Sequence, residues 1–243
     1  MRLGVIGGLG PMATAYFLEL IVAMTDASRD QEHPEIIVMN IPSIPDRTAY
    51  ILGKSSENPV IPMVALGKQM KELGVSVIAT PCITAHYFHE QLQKGIDLPV
   101  IHAIRATAVT IKNAGIRRVG LMATDGTVQS GIFQKEVEAA GMEMLLPSPT
   151  AQAKVMSIIY DYVKAGLTPD MSLFEDVQQE LFESGAEVIV LGCTELSLLK
   201  KDYPLGSGIL DALEVLARES VLACGKNVKP EYHTLFTPFS GKE

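Results

Sequence analysis

The 243-residue sequence has no apolar run long enough to cross a membrane as a helix. It also lacks a cluster of Lys and Arg: 20 basic residues are outnumbered by 28 acidic ones, for a net charge of −8. That balance argues against a nucleic-acid backbone or an anionic membrane as partner. It leaves room for a small acidic substrate, because one site can be cationic on an acidic protein. Cysteine is scarce as well. Cys82, Cys193 and Cys224 cannot all pair, and their spacing fits neither a disulfide framework nor a zinc module. A reducing, cytoplasmic setting is the natural expectation. Arg2, the apolar run behind it and Ala13-Thr14-Ala15 imitate a secretory leader. However, Gly4, Gly7, Gly8 and Gly10 interrupt that run, which favours a buried strand and turn.

Apolar residues make up 47% and charged residues 20%, enough to build a sizeable core. The length suits one large α/β domain or two of about 100 to 120 residues. Strand-like runs lie at 3–6, 36–40, 75–80, 100–102, 119–122, 142–146 and 188–191. Helical patterns lie near 12–27, 59–73, 84–94, 103–114, 127–140, 151–165, 170–184 and 209–223. This alternation predicts βαβ units and mostly parallel sheets flanked by helices.

The chain also repeats itself. "GVSVIATPCITA" (74–85) and "GAEVIVLGCTEL" (185–196) align without gaps, each running from Gly through an apolar strand to a Cys eight residues on. Upstream, "LGVIGGLGPMAT" (3–14) has a looser counterpart in "VGLMATDGTVQS" (119–130). From Gly4 to Cys82 is 78 residues and from Gly120 to Cys193 is 73. Two pseudo-symmetric α/β domains follow: 1–103 joined by about 209–243, carrying Cys82, and 104–208, carrying Cys193. In open parallel sheets ligands bind outside the carboxyl ends of the strands. Both cysteines are therefore expected on the walls of one cleft between the domains.

A thiol at a strand end that opens a helix lies where the helix N-terminus favours anions, so its pKa is expected to fall from ~8.5 toward 7 or below. His86, four residues after Cys82, would lie one turn along the same helix, either tuning that thiol or simply solvated. Two facing thiols suit inversion of a stereocentre: one thiolate removes a proton from one face of a carbon, and the opposite thiol supplies one. The bland alternative is that they are small buried hydrophobes. That is the reading for Cys224, set in an apolar helical face with Leu213, Leu216 and Val221.

Together "GVIGGLGPMAT", "NIPSIPDRTAY", "PCITAHYF" and "LGCTEL" resemble the aspartate/glutamate racemase family, most of all its aspartate racemases. The resemblance implies a cofactor-independent isomerase of two α/β domains, with Cys82 and Cys193 as acid/base thiols, acting on L- and D-aspartate or also glutamate. Arg47 and Lys164 match positions that hold the substrate's distal carboxylate. Gly10, Met12, Ile83, Thr84, Thr124, Thr127, Thr194 and Glu195 complete the implied substrate-binding set, and a homodimer is implied too. In one respect the chain departs from the family, which usually has Asn where Ile83 stands. Glu195 agrees with aspartate racemases, whereas glutamate racemases have His there.

Other readings stay open. The same superfamily holds hydantoin racemases, maleate isomerases and decarboxylases that use these Cys positions, and a silent amino-acid-binding protein would keep the carboxylate clamp alone. Gly8-Leu9-Gly10-Pro11-Met12-Ala13 matches a dinucleotide-binding pattern. Against it, the second strand ends at Asn40 rather than an acidic residue, and Pro11 removes a backbone donor where a pyrophosphate would sit. No metal or other cofactor is expected.

Overall fold

The computed structural model describes residues 1–239; residues 240–243, the end of the expected first domain, lie outside the described residues. The first half runs β1 (Arg2–Gly7), α1 (Pro11–Met24), β2 (Glu35–Asn40), α2 (Arg47–Ile51), α3 (Val60–Glu72), β3 (Val77–Ala79), α4 (His89–Ile96) and α5 (Ala103–Asn113). The second runs β4 (Arg118–Met122), α6 (Asp125–Ser130), α7 (Ile132–Ala139), β5 (Glu143–Leu145), α8 (Pro149–Ser157), α9 (Met171–Glu183), β6 (Val188–Leu191), α10 (Thr194–Asp202), β7 (Ile209–Asp211) and α11 (Ala212–Ala223). Two sheets result, in the orders β2-β1-β3 and β5-β4-β6-β7, and every named strand pair is parallel. Helices flank both sheets. Strands such as β1, β3 and β6 read as unbroken apolar runs because they are covered on both faces.

The sequence repeat corresponds to a structural one. β1 and β4 are interior strands of their sheets, each leading through a turn to a helix; Cys82 follows β3 and Cys193 follows β6. The match extends to the sheet edge. The run at 100–102, expected as a strand, contributes a single bridge from Val100 to Ile78 before the His102 ring accepts from Arg105 N at 3.2 Å and starts α5. Its counterpart is longer. Residues 209–211, expected as the first turn of the last helix and as part of the first domain, instead pair with β6 as β7, and Asp211 then caps α11 by accepting from Leu213 N at 2.8 Å. Short β-branched runs next to a cap fit either period, so only the neighbouring strand decides.

Three further helical expectations change in detail. The 84–94 segment divides into a 3-10 stretch over Ile83–Phe88 and then α4. The 127–140 segment breaks at Gly131, whose φ of +67° ends α6. The 151–165 segment passes from α8 into a π turn over Ile158–Val163. Helices α2 and α10 lie outside the expected set. α2, five residues held by the Asp46 carboxylate accepting from Ala49 N at 2.7 Å, is too short to show a period.

α11 closes the molecule by packing on α1 and on α5. One apolar cluster consequently includes Phe17 and Ile21 of α1, Ile104 of α5, Leu121 of β4 and Leu213 and Leu216 of α11. This shared core joins both sheets. No helix among the described residues is long and apolar enough to cross a membrane.

Candidate active site

The opening turn is shaped by two glycines for different reasons. Gly8 has φ +93°, and a Cβ there would come within 2.4 Å of the Ile41 backbone. Gly10 has an ordinary extended conformation, but its Cβ would lie 3.1 Å from Glu195 Oε1. The turn thus brings the start of α1 against the start of α10, with Pro11 at the first helical position where its missing donor costs nothing.

Cys82 and Cys193 occupy equivalent places. Each precedes a helical segment in extended backbone, with φ, ψ of −154°, 105° and −144°, 133° respectively. Both are nearly buried, 6% and 4% exposed, and both line one small, nearly closed cavity. Arg47, Ile83, Thr84, Thr124, Lys164, Thr194 and Glu195 line the same cavity. A larger groove lies elsewhere, between α5, α11 and the C-terminal segment, and holds neither thiol nor the Arg47 and Lys164 pair.

Arg47 is buried at the start of α2. Its Nη1 donates to the carbonyls of Ile44 at 3.3 Å and Pro45 at 3.0 Å, and Nη2 to Leu9 at 3.0 Å, while Nε is buried without a partner. Burial works against its charge, but Cys82, Asp46 and Glu195 around it hold its pKa above the ordinary value. A cation therefore stands beside the Cys82 thiol. Lys164 follows the π turn and pairs with Glu195 Oε1. Burial again opposes the charge, and Glu195 and Cys193 outweigh it, raising the ammonium pKa. Glu195 Oε2 accepts from Cys193 Sγ at 2.9 Å and from Thr194 Oγ1 at 3.4 Å.

The helix N-terminus does not produce an acidic thiol at Cys193. Burial first, and the Glu195 carboxylate second, push its pKa well above the ordinary range. His86 does not reach a thiol either. It is buried, and its Nδ1 lies 3.1 Å from the Cys82 carbonyl, so it braces the backbone beneath that residue.

Thr84 of the first half meets Thr124 and Thr127 of the second, with hydroxyl oxygens 3.1 and 3.0 Å apart; Thr48 donates to Thr124 at 3.3 Å. This cluster ties the two cleft walls together. Thr127 lies behind the cavity rather than on its surface, and Gly10 borders Glu195 without lining it. Met12, implied as a substrate contact, is 69% exposed on the outer face of α1 and does not line the cavity. The lining residues that the sequence reading passed over are Leu9, Asp46, Thr48 and Tyr160. Tyr160 had a signal: it is four residues before Lys164, one helical turn, so both point to the same side. Burial raises its phenol pKa. Cys224 is buried at the end of α11, as a small hydrophobe should be.

This arrangement of paired thiols between two similar α/β halves can be set beside known proteins. The profile of the family described as Asp/Glu/hydantoin racemase matches residues 6–219. The chain belongs to that family. It resembles the Picrophilus torridus aspartate racemase in structure with a TM-score of 0.85 at 30% identity, over 97% of this chain and 99% of that one. In sequence it is 24% identical over 225 residues to the broad specificity amino-acid racemase RacX of Bacillus subtilis (strain 168), spanning 90% of this chain and 96% of that protein. It is also 28% identical over 155 residues to the glutamate racemase of Aquifex pyrophilus, spanning 61% of this chain and 58% of that one. As a member of a racemase family the chain is an isomerase, and of the dinucleotide-like pattern in its first turn Leu9 lines the cavity that holds both thiols.

Proposed function

We propose that the protein interconverts L- and D-aspartate, with Cys82 and Cys193 serving opposite faces of the α-carbon and no cofactor taking part. The observation that carries this reading is that both thiols line one cavity together with two cations, Arg47 and Lys164. One thiolate removes the α-proton, forming an S–H bond and leaving the electron pair on the carbon and its carboxylate. The opposite thiol then returns a proton to the other face, and the roles exchange for the reverse direction. A carboxylate on the substrate's side chain suits Arg47 and Lys164, which supply a planar fork and a point charge. The substrate's α-carboxylate suits the start of α10 and the threonine hydroxyls, where helix N-termini present backbone donors. The Picrophilus relative bears the name aspartate racemase, in keeping with this assignment.

Ile83 favours a wider range of substrates as a second reading. It is an apolar wall directly after Cys82, where an amide would have made a specific polar contact. The Bacillus relative carries the name broad specificity racemase.

Incubation of either aspartate enantiomer in deuterium oxide, followed by proton NMR and chiral chromatography, tests the reading. Deuterium is expected at Cα together with inversion, and Cys82→Ser and Cys193→Ser should each abolish inversion. Absence of exchange and inversion for both aspartate and glutamate would refute it, and full racemisation by either single variant would remove the two-thiol scheme. A panel extended to neutral amino acids separates the narrow specificity from the broad one.

A further inference from the structure

We propose that Glu195 is the proton partner of Cys193: its carboxylate keeps Cys193 a thiol in the resting protein and takes the thiol's proton when Cys193 has to act as a base. The inference rests on the two-thiol reading above and adds a third acid/base group to it.

The geometry holds this carboxylate in place from several sides. Glu195 lies in the first turn of α10, two residues after Cys193, and is buried. Oε2 accepts the Cys193 Sγ–H at 2.9 Å while Oε1 is engaged by Lys164. Gly10 leaves the space that Oε1 fills, since a Cβ there would approach it to 3.1 Å. The groups facing the thiol are Glu195 on its own helix, Lys164 and Tyr160 from the π turn and its end, and Arg47, Asp46 and Cys82 from the first half. Glu195 is the one whose oxygen lies within hydrogen-bond reach of Sγ.

Two negative charges at that separation in a buried site oppose each other strongly. A thiolate at Cys193 beside an ionised Glu195 is therefore disfavoured, and the two groups share one proton. For Cys193 to remove a substrate proton, the S–H bond breaks and an O–H bond forms on Glu195 Oε2, leaving a thiolate beside a neutral carboxylic acid. Counting Cys82 as a thiol, the three groups hold two protons before and after this transfer, so it needs no outside donor. A substrate carboxylate arriving at Lys164 would draw that cation away from Glu195 and favour the transfer. Substrate binding and activation of Cys193 are then linked. Glu195 acts through Cys193 and is a positioning residue.

The titration of Cys193 tests this without any substrate. In protein carrying Cys82→Ala and Cys224→Ala, Cys193 is the sole thiol, and its ionisation is read from thiolate ultraviolet absorbance against pH. Adding Glu195→Gln is expected to lower the midpoint by at least about one pH unit, a tenfold change in proton affinity. Glu195→Asp, which keeps the charge, should lower it less. A midpoint that stays put or rises in Glu195→Gln overturns the proposal, because a purely structural role would not move it downward. If the combined variants fail to fold, peptide-resolved iodoacetamide labelling of Cys193 across pH, in otherwise unaltered protein with and without Glu195→Gln, makes the same comparison. A lowered midpoint in a protein that racemises nothing would overturn the functional reading alone; an unmoved midpoint in an active racemase would overturn this inference alone.

Discussion

Acidification should destabilise this protein through His86, and the size of the effect follows from the residue's surroundings. His86 is 5% exposed, with Nδ1 against the Cys82 carbonyl at 3.1 Å and Nε2 buried without a partner. Its ring centroid lies 5.8 Å from that of His102, which in turn is 4.3 Å from His89. Burial, chiefly, and the charge of His89 lower its pKa from 6.5 to about 4. Between those values the unfolded chain binds a proton that the folded chain refuses, so stability falls as pH drops through the window. The linkage relation then gives a loss of about 2 kcal/mol between pH 7 and pH 5 from this one residue. In a chain of this size that corresponds to a fall in Tm of roughly 4–8 °C. Other groups titrate nearby. Asp211, whose carboxyl burial pushes upward, works in the opposite sense, because its folded form holds a proton the unfolded chain has lost. The assay is therefore a comparison: Tm at pH 7 and pH 5 for the parent protein and for His86→Gln, whose amide can still donate to the Cys82 carbonyl. The parent should lose those extra degrees relative to the variant. Parallel losses in the two proteins would show that His86 is not held neutral by its burial.

Two further substitutions probe the cleft. Gly8→Ala places a Cβ within 2.4 Å of the Ile41 backbone at a φ of +93°, so it should cost more than about 2 kcal/mol in urea unfolding. A neutral effect there would refute the close packing of β1's turn on the chain after β2. Arg47→Lys keeps a charge but loses the fork that reaches three carbonyls, and KM for aspartate should rise roughly tenfold, about 1.4 kcal/mol, the worth of one charge-assisted hydrogen bond. Steady-state kinetics checks this, and an unchanged KM would take Arg47 out of substrate binding.

Much of the architecture could be read from local pattern. The interior strands are runs such as "VIVL" and "LGVIG", and the period of the helices between them is that of one buried face. The internal repeat places Cys82 and Cys193 at matching strand ends from residue order alone. What escaped was short or shared between halves. The five residues of α2 show no period, and the run at 209–211 reads equally well as the first turn of a helix. Tyr160 and Thr48 become cavity residues only because the π turn and α2 face each other across the cleft.

The amino-acid sequence by itself determined the parallel α/β class, the two-fold repetition of a strand ending in cysteine, and the family to which the chain belongs. These are properties of residue order: hydrophobic period, glycine placement and motif spacing. Only the tertiary structure decided the electrical character of the site. A helix N-terminus alone predicts an acidic thiol at Cys193, yet the folded chain buries that thiol and sets the Glu195 carboxylate 2.9 Å from it, so the thiol is held protonated instead. The same holds for His86, polar in sequence and neutral in the core, and for Met12, which faces solvent. Proton affinity depends on burial and on charges brought close in space, and neither quantity is written in the linear order of the residues.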